Sequence, residues 1–161
     1  ETVGTGASII DGITEYNQRG SRALRPHVAE LVNVQDPDAF FLTCTDSRIL
    51  PNVITSSGPG DLFTVRNVGN LVPADVNDGS VDASLSFAIN QLHVNSIVVC
   101  GHSCCGAMKA LLSDTKGPDA VVARWLQHAL DSFIAYQNHH PARASATMCG
   151  FGPVDQLAVR R

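Results

Sequence analysis

The chain has 161 residues, 44% of them hydrophobic and 16% charged, and a formal net charge of −4. That is enough apolar material for the core of one ordinary domain, which excludes a disordered chain. It has no block of basic residues for nucleic acid or anionic lipid, and no apolar run of the ~20 residues a membrane helix needs.

The segment ETVGTGASII lacks the basic and apolar regions of a secretory leader. It also lacks an initiator Met, so the chain is expected to be processed or excised from something longer. The five cysteines, at 44, 100, 104, 105 and 149, are an odd number with two adjacent. They make a poor disulfide framework and suit a reducing, cytoplasmic compartment.

Ser8 opens a helical pattern, with Asp11 at the capping-box position and Ile9, Ile13 and Tyr16 on one face. Gly20 is expected to end it. A second short helix carries Leu24, Val28, Leu31 and Val32, with Pro26 near its start. After the turn Asp36-Pro37-Asp38, the run Ala39–Cys44 is nearly all apolar, as in a strand buried on both faces. Gly58-Pro59-Gly60-Asp61 leads into a second strand, Leu62–Arg66. A helix is expected from about Val81 to His93, with Leu85, Ile89 and Leu92 on one stripe, before a third strand, Ser96–Cys100. Another helix should begin near Cys104 and reach about Leu112. A longer one should carry Val121, Val122, Trp125, Leu126, Ala129, Leu130, Phe133 and Ile134, and Pro153 should open a last one.

Strands alternating with helices predict an α/β fold, a parallel β-sheet core flanked by helices. In such sheets, ligands bind beyond the carboxyl ends of the strands. Two polar clusters fall there: Cys44-Thr45-Asp46-Ser47-Arg48 and Gly101-His102-Ser103-Cys104-Cys105-Gly106. If the helix begins near Cys104, its first turn brings Cys105 beside His102, and a helix N-terminus favours thiolate. Cys44, from the first strand, can supply a third ligand. Thiolate and imidazole suit Zn2+, and three protein ligands leave the fourth position open, the mark of a catalytic zinc site. Cys104 is the alternative to Cys105. Cys100 and Cys149 are expected to be structural.

Asp46 lies close enough to Cys44 either to bind the metal or to accept a hydrogen bond from the attacking oxygen. Arg48 can hold it off the metal by a bidentate pair. Arg66 and Asn67 are expected to support a loop. His139 and His140 read as exposed surface histidines, and His27, His93 and His128 have no metal-like partners in sequence. Gly101–Cys105 is not the nucleophile elbow G-x-S-x-G, because Cys105 stands where the second glycine belongs.

Cys-Thr-Asp-Ser-Arg after a strand, then His-x-x-Cys after a later strand, resembles a β-class carbonic anhydrase. Phe63–Asn70 is similar to that family's segment between the two motifs. The resemblance runs from about residue 8 to the end of the chain. It implies a single domain over 1–161, with an N-terminal helical arm at about 8–33 and a zinc-binding core at about 38–161. It implies Cys44, His102 and Cys105 as zinc ligands, and Asp46 with Arg48 as the active-site dyad. The implied reaction is reversible hydration of CO2 to bicarbonate and a proton, in a homodimer or larger assembly. Residues 51–61 are similar to carbonic-anhydrase-like domains fused to sulfate/bicarbonate-type transporters. A noncatalytic, zinc-stabilised module tethered to such a transporter is therefore the alternative. Family members continue with a further strand, so this chain is expected to lack the C-terminal strand region.

Overall fold

The computed structural model describes residues 8–74, 79–112 and 119–139. His140, Cys149 and the helix expected from Pro153 lie outside the described residues, as does the side chain of His139.

The centre of the fold is β1, Ala39–Cys44, whose six residues are all buried. It pairs in parallel with β2, Leu62–Asn67, on one side and with β3, Ser96–Cys100, on the other, giving the order β2-β1-β3. The register places Cys44 opposite Asn67 and Thr43 opposite Cys100. Both ends of the sheet are stitched outside the ladder. At the amino end, Asp38 N–H donates to Asp61 O at 2.9 Å and Asn95 N–H to Asp38 O at 3.0 Å. At the carboxyl end, Thr45 N–H donates to Asn67 O, and the Thr43 hydroxyl to Cys100 O, each at 3.0 Å. A middle strand offers no face to water, which is why Ala39–Cys44 reads as a continuous apolar run.

The helices are α1 (Ile9–Glu15), α2 (Ser21–Leu31), α3 (Pro51–Ile54), α4 (Ser80–Asn90), α5 (Gly106–Leu112), α6 (Ala120–Leu126) and α7 (Leu130–His139). Phe40 and Leu42 form one core cluster with Val81 and Ala88 of α4. Cys44 forms a second with Cys105, with Ala107 and Met108 of α5, and with Leu126 of α6. The connection from β2 to β3 crosses β1, so the loops after β1 and β3 meet at a reversal of strand order, where α/β sheets bind ligands. Among the described residues, no helix is long and apolar enough to cross a membrane.

The three strands match expectation, β2 running one residue longer. The helices depart from it in four places. The Ser8–Asp11 capping box forms, but Gly20 does not end the helix. The chain passes through a π turn, Tyr16–Gly20, straight into α2, leaving Pro26 inside that helix. Gly20 serves a close approach instead: a Cβ there would meet the Tyr16 ring at 2.9 Å. On α4 the stripe facing the sheet is Val81, Leu85 and Ala88, while Ile89 is exposed. Ala88 is fully buried in the cluster with Phe40 and Leu42 of β1. α5 begins at Gly106 rather than Cys104, because Cys104 has φ +55°, which a helix cannot continue through. The long helix expected around Val121–Ile134 is two, α6 and α7, joined by a 3₁₀ turn at Gln127–Ala129.

Leu42, fully buried in β1, cannot be trimmed cheaply. Leu42→Ala should cost about 2–5 kcal/mol of stability, read as a lowered urea midpoint. An unchanged midpoint would mean β1 is not the core the fold is built on.

Candidate metal centre

Three side chains converge at the carboxyl end of β1. Cys44, His102 and Cys105 are all buried, and their donor atoms lie within 4.8 Å of one another. Cys44 is the last residue of β1, and His102 follows β3 by two residues. Cys105 is not in the first turn of α5 but just before it, where its carbonyl accepts the first helical bond, from Lys109 N–H at 3.0 Å. Its sulfur lies near the Met108 and Ala107 N–H groups, whose dipoles oppose the rise that burial gives its thiol pKa. Cys104, the alternative ligand, is disulfide-bonded and is not one of the three converging residues. Its bond departs from the reading of the cysteines as a poor disulfide framework. Cys44, Cys100 and Cys105 are free, and Cys100 is only partly buried.

The donor chemistry fits a soft divalent cation. His102 Nδ1 lies 2.9 Å from the Ser103 carbonyl, an acceptor, so Nδ1 carries the hydrogen and Nε2 presents its lone pair. That Nε2 is buried with no hydrogen-bond partner, a costly state unless something electrophilic meets it. Burial opposes ionisation of Cys44, but the Asp46 backbone and the Gly69 N–H act against it and its thiol pKa is lowered. Burial, reinforced by the charge on Cys44, pushes the Cys105 thiol up, against the pull of the Met108 N–H. Two buried sulfurs therefore compete for one negative charge, and a shared cation removes that conflict. Zn2+ matches the donor set.

Asp46 stands beside this triangle without joining it. Its Oδ2 is 4.0 Å from His102 Nε2. Arg48 holds the carboxylate by a fork, Nε to Oδ1 at 2.9 Å and Nη2 to Oδ2 at 2.7 Å, with its own backbone N–H on Oδ1 at 3.0 Å. Arg48 Nη2 also donates to the Cys104 carbonyl at 3.2 Å, tying the β1 loop to the β3 loop. Of the two arrangements open at the sequence level, the structure has Asp46 paired with Arg48.

Arg66 supports the loop, as expected. Its Nε and Nη2 donate to the Cys44 carbonyl at 3.0 and 2.9 Å, and Nη2 to the Asp46 carbonyl at 2.8 Å. Asn67 brackets the next turn, accepting from Leu71 N–H and donating to Leu71 O, both at 2.7 Å. Gly69 was not singled out by sequence, yet its N–H donates to Cys44 Sγ at 3.3 Å. It has φ +81°, and a Cβ would meet Ala107 Cβ at 3.0 Å and Met108 Cε at 3.1 Å. The Val68-Gly69-Asn70 segment, where Asn70 is also at positive φ, carried the only available signal.

The carbonic anhydrase family profile matches residues 39–151. The chain belongs to the β-class carbonic anhydrase family. It is 40% identical over 139 residues to the carbonic anhydrase of Synechococcus elongatus, a match covering 80% of this chain and 51% of the relative. The solved β-carbonic anhydrase CcaA superposes with a TM-score of 0.77 at 33% identity, covering 94% of this chain and 66% of that one. A tetrameric β-carbonic anhydrase of the filamentous ascomycete Sordaria macrospora superposes with a TM-score of 0.70 at 30% identity, covering 91% of this chain and 73% of that one. The chain spans 51% and 64% of the length of two curated relatives it matches, and less than half of others.

The hydrogen bonds from Arg48, with its charge, hold the Asp46 carboxyl well below the usual carboxylate range. An ordinary aspartate is half protonated near pH 3.9. Because the folded value is depressed, the pair's stabilisation is present above about pH 4 and is lost as pH falls below it. Carboxyl NMR should find Asp46 still ionised at pH 4. Half-protonation there would contradict the pairing.

Proposed function

We propose that the chain catalyses reversible hydration of carbon dioxide to bicarbonate and a proton, with Cys44, His102 and Cys105 as zinc ligands and Asp46 and Arg48 as the catalytic dyad. The observation that carries this is the placement of an ionised Asp46 beside, but not within, the buried Cys44–His102–Cys105 triangle. A structural metal would need no such neighbour.

Zinc, when bound, supplies acidity, lowering the pKa of a water to about 7 so that hydroxide is available near neutral pH. The chain's own groups supply direction. Asp46, being ionised, can only accept, so it would accept a hydrogen bond from the attacking oxygen, which keeps its hydrogen and turns a lone pair toward the CO2 carbon. Arg48 donates to both oxygens of Asp46, which prevents the carboxylate from turning onto the metal. One C–O bond forms, bicarbonate leaves, and the proton released from water passes to buffer. A small neutral substrate needs no separate binding domain, which suits a short chain.

The same reading extends to a homodimer or larger assembly in the cytoplasm. Ile9 and Ile13 on α1 and Tyr16 just after it are exposed and would cover a partner, and the relative from Sordaria macrospora is tetrameric. The alternative, a noncatalytic zinc-stabilised module tethered to a transporter, leaves the Asp46–Arg48 fork without a purpose.

Stopped-flow CO2 hydration by the zinc-loaded chain should rise through neutral pH. Asp46→Asn should lower it by about 100-fold or more while zinc stays near one per chain. A zinc-replete wild type inactive from about pH 6 to 9, where its water should ionise, would favour the noncatalytic module. A fully active Asp46→Asn would remove the dyad's role.

A further inference from the structure

We propose that Trp125 is a positioning residue for the Cys44 sulfur, acting through the single peptide unit that joins Val68 to Gly69. The proposal rests on the reading of Cys44 as a metal ligand. The Trp125 indole Nε1 donates to the Val68 carbonyl oxygen at 2.7 Å. At the other end of that peptide, the Gly69 N–H donates to Cys44 Sγ at 3.3 Å. Carbonyl and N–H belong to one conjugated plane, so they move together. Donation to the oxygen draws density from the nitrogen and makes the N–H a better donor. Chains of hydrogen bonds gain on the order of 10–30% per bond in this way.

The plane is the middle peptide of a turn closed by a long bond, Asn70 N–H to Asn67 O at 3.3 Å. Gly69 and Asn70 both lie at positive φ, and Asn67 fastens the turn through Leu71, beyond the plane. Trp125 is the side chain that grips the Val68 carbonyl itself. It is in turn well placed to do so. Asp119 caps α6 by accepting from Val121 and Val122 N–H. Leu126, next to Trp125, is buried in the same cluster as Cys44 and Cys105, against which the indole packs. The His128 ring meets the indole edge-on, with centroids 5.2 Å apart. The result is a connection from α6 to the sulfur, whose first link joins Trp125 to Val68 across 57 residues of sequence.

A purely packing role would need only the ring. The test replaces Trp125 in the full chain by β-(3-benzothienyl)alanine, which keeps the bicyclic shape but has sulfur in place of the N–H, with Trp125→Phe as a second variant. Three readouts are taken: the thermal midpoint of the metal-free protein, Co2+ affinity by chelator competition, and the energy of the sulfur-to-cobalt charge-transfer band. The isostere should leave the midpoint nearly unchanged, weaken Co2+ binding about tenfold, the low end for losing an outer partner of a metal ligand, and move the band to lower energy as the sulfur loses its donor. Trp125→Phe should shift the band the same way. Unchanged affinity and band in the isostere, or affinity lost only in proportion to the thermal midpoint, would overturn the positioning role. A wild-type chain with no sulfur-to-cobalt band would instead overturn the metal centre itself, and this proposal with it.

Discussion

The end of β1 is the point from which every functional group here is positioned. Cys44 closes a strand that is buried along its whole length and paired on both sides, so its backbone has almost no freedom relative to the sheet. Parallel pairing with β3 then delivers His102 and Cys105 to the same end, and pairing with β2 delivers Asn67 and the turn that carries Gly69. An antiparallel neighbour would have sent one of these loops to the far side of the molecule. The site is therefore a consequence of strand direction before it is a consequence of side chains.

Electrostatics finishes what the topology begins. Two thiols and an imidazole nitrogen with no partner are an unstable set inside a protein, and a divalent cation satisfies all three at once. An anionic group taking the fourth position would close the centre. Arg48 prevents this by holding Asp46 with both ends of a fork, and by reaching across to the Cys104 carbonyl it also keeps the two loops in register. Arg66 does the corresponding work from β2, gripping the carbonyls of Cys44 and Asp46.

The strands and the three converging residues were legible because their signals are local. Ala39–Cys44 is an unbroken apolar run with turn residues before it, and Cys44-x-Asp46-x-Arg48 and His102-x-x-Cys105 each sit directly after a strand. What was not legible depends on contacts between distant segments. Gly20 looks like a helix stop until the Tyr16 ring is seen to occupy the space above it. Nothing local distinguishes the exposed Ile89 from the buried Ala88, since either fits a helical stripe. Trp125 reads as one more apolar position on a helix; its hydrogen bond to Val68 has no trace in spacing. The positive φ of Cys104, which moves Cys105 from inside a helix to its cap, is equally invisible in a Cys-Cys pair.

The central claim is that Cys44, His102 and Cys105 hold one zinc and leave one position open. X-ray absorption at the zinc edge of the loaded chain tests it most directly. The expected shell is two sulfurs at about 2.3 Å and two lighter atoms at about 2.0–2.1 Å, one of them with the multiple-scattering signature of imidazole. Cys44→Ser should remove one sulfur from that shell. A shell with three sulfurs, or one without imidazole, would contradict the assignment, as would a chain that retains no zinc.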